Sequence, residues 1–188
     1  MKTIFVFGDS LSEGLAISPR QAWPMLLVEK LRPVGPNFRV INASASGSTT
    51  EGGLRRLPTH LVDPVDIFIL ELGINDAFHG IPVEQTRANL QSMIDQVKAR
   101  NPSVSVVIVG VQFLISAPDS EYVAAFVKMF GELAEKNRAA LVPNLLEGVV
   151  GDSKLNLPDR IHPNAAGHKV LVENVWHVLE PIARDVAK

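Results

Sequence analysis

The chain has 188 residues, 46% of them hydrophobic and 20% charged, with a formal net charge of -2 and no cysteine. That length can bury one sizeable core, while the near-balanced charge supplies no basic field for nucleic acid or an anionic membrane surface. The missing cysteine excludes a disulfide framework, a thiolate nucleophile and a cysteine-ligated metal together.

No apolar run is long enough to span a bilayer. The chain begins almost at once with its first strand and shows no basic region, apolar stretch and small-residue cleavage site in succession. The expectation is therefore one domain over residues 1–188, cytoplasmic as the sequence stands, or periplasmic or secreted if a leader has been removed.

Thr3 to Phe7 is an apolar and β-branched run that ends in Gly8-Asp9-Ser10-Leu11, so it reads as a buried strand stopping at a sharp turn that carries a hydroxyl. In the segment from Ala22 to Arg32, Trp23, Leu26, Leu27 and Leu31 recur at mostly helical spacing, with Pro24 tolerable in the first turn. Phe38 to Asn42 is a second strand. It leads into the small-residue loop Ala43 to Thr50, whose threonines can cap a helix carrying Leu54, Leu57 and Leu61. Pro58 is expected to interrupt that helix.

Asp66 to Leu72 is a nearly continuous apolar run, as in a strand covered on both faces, and it ends at Gly73-Ile74-Asn75-Asp76. A helix follows from Glu84 to Arg100, stopped by Pro102. Next come a strand from Ser103 to Val111, a helix from Glu121 to Arg138 and a short strand near Leu141. An irregular stretch from Asn144 to Pro158 leads to Asp159-Arg160-Ile161-His162-Pro163. A long helix from Asn164 to Ala187 closes the chain, and Pro181 is expected to kink or split it.

Strand and helix alternate five times, which predicts an α/β fold with a parallel sheet and helices on both faces. Ligands of such sheets bind beyond the carboxyl ends of the strands. The turn at Ser10, the Ser46-Gly47 loop and the Gly73 to Asp76 turn all follow strands, so they emerge on one edge.

Each motif has a plain structural reading. Asp9 and Ser10 suit a turn and helix cap, Gly47 suits a left-handed loop position, Asn75 and Asp76 suit a tight turn, and Asp159 and His162 suit a turn acid and a surface histidine before a helix. Acyl transfer requires a hydroxyl, a neutral imidazole, a carboxylate to orient it and donors for the oxyanion, so one hydrolytic reading accounts for all four motifs together.

Gly8-Asp9-Ser10-Leu11, Gly47, Gly73-x-Asn75-Asp76 and Asp159-x-x-His162 stand in the order of the four blocks of the GDSL, or SGNH, hydrolases. The chain resembles that family over essentially its whole length. It is most similar to the bacterial thioesterase, arylesterase and lysophospholipase branch, through Asn42-Ala43-Ser44-x-Ser46-Gly47, Glu71-Leu72-Gly73 and Ile161-His162-Pro163. The resemblance implies a three-layer α/β/α, flavodoxin-like fold with strand order 2-1-3-4-5, and no cofactor. It implies that Ser10 is the nucleophile, His162 the base and Asp159 its orienter, with an oxyanion hole made of the Ser10 N–H, the Gly47 N–H and the Asn75 amide. It also implies a serine esterase acting on small acyl or aryl esters and thioesters. A carbohydrate acetylesterase of the same family is the alternative, and a flavodoxin-like binding module is a more distant one.

Asp159 and His162 are too close in sequence to come from separate sheet edges, and Ser12 stands where a Gly-x-Ser-x-Gly elbow would need glycine, so the α/β-hydrolase fold is disfavoured. His60, His79, His168 and His177 lack metal-ligand spacing and read as surface or helix-packing residues. Asp76 is expected to hydrogen-bond within its own turn. Phe78, Phe113, Leu114 and Ile115 are apolar residues in two loops of the same edge, and they are candidates either for the wall of an acyl groove or for packing beneath those loops.

Overall fold

The computed structural model describes residues 1–61, 64–112 and 121–188. Strands β1 (Lys2–Gly8), β2 (Phe38–Asn42), β3 (Ile67–Glu71), β4 (Ser105–Val109) and β5 (Ala140–Val142) form one parallel sheet in the order β2-β1-β3-β4-β5, as the resemblance implied. β1 lies in the middle of the chain's first reversal, with Val6 opposite Asn42 on one side and Gly8 opposite Glu71 on the other. The gap between the ends of β1 and β3 is thus the switch point of strand order, where such sheets open a crevice.

Alternation along the strands divides the interior in two. Ile4, Val6, Ile67, Ile69, Val107 and Val109 face helices α2 (Trp23–Leu31) and α7 (Ala165–Val186). On the other face, Phe5, Phe7, Phe68, Leu70, Val106 and Ile108 meet α3 (Thr50–His60), α5 (Val83–Arg100) and α6 (Glu121–Asn137). Because both faces are covered, every residue of β3 is buried, which is why that strand reads in sequence as an unbroken apolar run. Among the described residues, no helix is long and apolar enough to cross a membrane.

One proline expectation needs correction: α3 continues through Pro58 to His60. At Pro181 α7 is not split, since it runs as one helix. Pro58 lies in the last turn of α3, where one missing N–H costs little cooperativity, and the Leu61 N–H still reaches the Leu57 carbonyl at 2.9 Å. Two turns predicted as loops are short helices, α1 (Ser10–Glu13) and α4 (Ile74–Phe78), each starting directly at a strand end.

The segment before α7 is tied down by backbone pairing. The Leu157 N–H donates to the His162 carbonyl at 2.8 Å, the Asn164 N–H to the Leu155 carbonyl at 2.9 Å, and Asn156 and Pro163 form an antiparallel bridge. Asn164 then caps α7, accepting from the Ala166 and Gly167 N–H groups.

One turn further on, buried His168 accepts the Trp23 N–H on Nδ1 at 3.1 Å and so satisfies the first turn of α2. Burial pushes this imidazole down to about 4 from its usual 6.5. A depressed histidine contributes stability in full above its unfolded value, and this is lost as pH falls from about 6.5 through about 4. Urea unfolding from pH 7 to 4.5 should therefore show an acid-side loss about 2 kcal/mol larger in the wild type than in His168→Gln. Equal pH slopes in the two proteins would refute this.

Candidate active site

Ser10 is the first residue of α1, immediately beyond β1. The N-cap is Asp9, whose carboxylate accepts the Leu11 N–H at 3.0 Å. Ser10 is 8% exposed, enough for a small group to reach a side chain otherwise set in protein. Its Oγ lies 2.9 Å from His162 Nε2, and His162 Nδ1 lies 2.7 Å from Asp159 Oδ2. With Nδ1–H donating to the carboxylate, the Nε2 lone pair faces the serine hydroxyl.

Asp159 holds its own loop as well as the imidazole, since Oδ1 accepts the backbone N–H groups of Ile161 at 2.9 Å and His162 at 3.0 Å. Partial burial would raise its pKa, but these backbone donors and the imidazole outweigh burial and bring it down to about 2. The carboxylate is therefore ionised across the physiological range.

The structure brings the other predicted residues to the same edge. Gly47 adopts a left-handed conformation with φ of 73°, which suits glycine, and is exposed. Neither its N–H nor that of Ser10 has a protein acceptor among the described residues. Asn75 bridges the two loops: Nδ2 donates to Asp9 Oδ2 at 3.2 Å and to the Ser48 carbonyl at 3.0 Å.

Asp76 departs from its expected role. Among the described residues its carboxylate does not bond within its own turn; it accepts the Thr50 N–H at 2.8 Å and the Thr50 and Thr86 hydroxyls, joining the N-termini of α3 and α5 to the site. This follows from its complete burial, which leaves the helix starts as the donors within reach.

Several contributors carry no sequence signal of their own. Half-buried Arg56 of α3 reaches three pieces of the site: the Gly8 carbonyl at 2.7 Å, the Ala43 carbonyl and the Ser48 hydroxyl at 3.2 Å. Its guanidinium also lies 3.8 Å from the centre of the Phe7 ring. Burial lowers its pKa, and the nearby Asp9 and Glu13 carboxylates oppose that shift. Glu13 accepts the Ser46 N–H at 2.8 Å and the Ser46 hydroxyl, so α1 grips the Gly47 loop directly.

Beneath the nucleophile turn, buried Glu71 accepts the Ser12 hydroxyl at 2.6 Å and the Asp9 N–H at 3.3 Å. Its second oxygen is buried with no partner among the described residues. A Cβ added at Gly8 would come within 2.6 Å of Glu71 Oε2, so only glycine allows this close approach. Burial, reinforced by Asp9, raises the Glu71 pKa well above the carboxylate norm. Burial also lifts Asp9 to about 7, against the bonds from Leu11 and Asn75 and the charge of Arg56.

A cavity of about 280 Å³ is lined by Ile74, Phe78, Leu146, Val150, Gly151, Arg160 and Ile161, two of which, Ile74 and Ile161, are the chain neighbours of Asn75 and His162. Phe78 falls on the predicted wall and is 53% exposed. Phe113, Leu114 and Ile115 lie outside the described residues. Leu146 and Val150 come from the irregular stretch after β5, where no periodicity announced them. Among the described residues, no group of His, Cys, Asp or Glu is arranged to hold a metal ion.

Comparison with known proteins agrees with this architecture. Residues 6–170 match the GDSL-like lipase/acylhydrolase family, and the chain belongs to it. The chain is 40% identical to the esterase TesA of Pseudomonas aeruginosa, over 96% of this chain and 89% of that one. It is 32% identical to thioesterase 1/protease 1/lysophospholipase L1 of Escherichia coli K12, over 96% of this chain and 84% of that one. A crystal structure of TesA superposes with a TM-score of 0.88 at 38% identity, covering 96% of this chain and 99% of that one.

Arg56 ties the ends of β1 and β2 to the Gly47 loop, so Arg56→Met should lower kcat roughly tenfold to a hundredfold with little change in KM, because misplacement of about 1 Å has that effect. Steady-state kinetics on a variant with native circular dichroism checks this. An unchanged kcat would remove Arg56 from any positioning role.

Proposed function

We propose that the protein is a serine esterase that hydrolyses small acyl or aryl esters and acyl thioesters through an acyl-enzyme. The observation that carries this reading is the continuous Ser10–His162–Asp159 hydrogen-bond chain. The names of the similar proteins, an esterase and a thioesterase/lysophospholipase, support the substrate class.

Ser10 Oγ attacks the carbonyl carbon as His162 Nε2 takes the hydroxyl proton, and Asp159 stabilises the imidazolium that forms. The oxyanion meets the two free backbone donors, Ser10 N–H and Gly47 N–H. Asn75 joins them by turning one amide hydrogen away from its long contact to Asp9, at 3.2 Å. Collapse of the tetrahedral intermediate breaks the carbonyl bond to the leaving oxygen or sulfur, which receives the proton from His162. Water, deprotonated by the same imidazole, then attacks the acyl-serine, and collapse returns the proton to Ser10 and releases the acid. These steps use only the chain's own groups and water.

Ser10→Ala should abolish turnover of p-nitrophenyl butyrate. Asn75→Ala should cut kcat by roughly 10²–10³, the usual cost of one oxyanion donor. Wild-type turnover by folded Ser10→Ala would overturn the nucleophile assignment, and wild-type kcat in folded Asn75→Ala would limit that residue to bridging the loops.

A further inference from the structure

Arg160 sits between Asp159 and His162, and its backbone is unusual for a residue with a side chain. Its φ is 60°, in the left-handed region that favours glycine. The loop enforces this conformation from both sides: the Arg160 N–H donates to the Leu157 carbonyl at 2.9 Å, and Asp159 Oδ1 gathers the two N–H groups that follow. A glycine would satisfy that geometry without strain, yet the position carries the longest cationic side chain available.

The guanidinium has no ion pair or hydrogen-bond acceptor among the described residues. It lines the apolar cavity described above, where every other side chain named is a hydrocarbon, and it is the only charged group among the described residues of that lining. The same side chain also borders a second, more polar space of about 250 Å³ with Asp152, Ser153 and Asn156. Asp152 is the acid of that polar space, and the apolar side is the one where Arg160 meets no acid in the lining. Two lining residues are chain neighbours of the proposed site, since Ile161 precedes His162 and Ile74 precedes Asn75.

From this placement we infer that Arg160 is a specificity-determining residue that selects amphiphilic esters or thioesters bearing an anionic group, carboxylate or phosphate. The inference rests on the esterase reading above and adds the charge of the substrate. Hydrocarbon packs against Ile74, Phe78 and Ile161 while the anion pairs with the guanidinium at the rim. A planar fork that never deprotonates suits carboxylate and phosphate oxygens. Arg160 is exposed, so the pair is worth what a solvent-screened contact is worth, a few-fold in kcat/KM.

The test compares matched substrates on wild type, Arg160→Gln and Arg160→Gly, the glycine being suited to the local φ so that folding is not at risk. One arm places the anion on the acyl side, mono-p-nitrophenyl glutarate against p-nitrophenyl pentanoate. The other places it on the leaving group, butyryl-coenzyme A against butyryl-N-acetylcysteamine. The ratio of kcat/KM, anionic over neutral, should fall roughly threefold to tenfold in both variants in at least one arm, and the arm that responds locates the anion. Added salt should lower the wild-type ratio and leave the variants' ratios flat. Ratios in both variants equal to wild type in both arms would overturn the inference while leaving the esterase reading intact. Turnover of the neutral ester by Ser10→Ala equal to wild type would instead overturn the esterase assignment beneath it.

Discussion

The reactive edge of this molecule stands on polar groups that have been withdrawn from water and must satisfy one another. Asp9, Glu71, Asp76, Ser12 and Thr50 are all buried just beyond the strand ends. An unpaired polar group in such a place costs roughly 1–3 kcal/mol, so each neighbouring segment is held where its donors and acceptors are needed. Arg56 fastens β1, β2 and the Gly47 loop, Asp76 fastens the starts of α3 and α5, and Glu71 underpins the turn of the proposed nucleophile. The loops are irregular in backbone form, but the pairing of this polar layer leaves them little choice of position.

The same layer has an electrostatic character. Two acids, Asp9 and Glu71, lie side by side under Ser10, and burial raises the pKa of both. Together with Arg56, Asp9 near neutrality keeps the net charge beneath the hydroxyl small. Asp159, in contrast, is held ionised by backbone donors at the edge of the site. The negative charge that faces the imidazole is thus kept apart from the acids that support the serine, so stabilising an imidazolium on one side need not oppose formation of an oxyanion on the other.

Much of this was legible in the sequence because the informative signals were local. Strands covered on both faces appear as unbroken apolar runs, and the blocks around Ser10, Gly47, Asn75 and His162 are short enough to read directly. The supporting residues were not legible. Arg55 and Arg56 are neighbours in one helix, yet Arg55 pairs with Glu51 in solvent while Arg56 holds three parts of the site together. Only the packing of α3 against β1 separates them. The role of Asp76 is illegible for the same reason: its partners Thr50 and Thr86 are distant in sequence, and no spacing rule connects them. Pro58 misleads in the opposite way, because proline's cost in a helix interior is small where the helix is already ending.

The hydrogen bond from Ser10 to His162 joins residues 152 positions apart. A chain that emerges from its amino end forms the hydroxyl, the Gly47 loop and Asn75 early, all without a base. The imidazole arrives only with the loop before α7, and that loop is secured by α7, both made well after the serine. A chain that has not yet placed that loop carries Ser10 without its His162 contact. In the proposed mechanism the serine therefore gains its base only when α7 and the loop before it have docked.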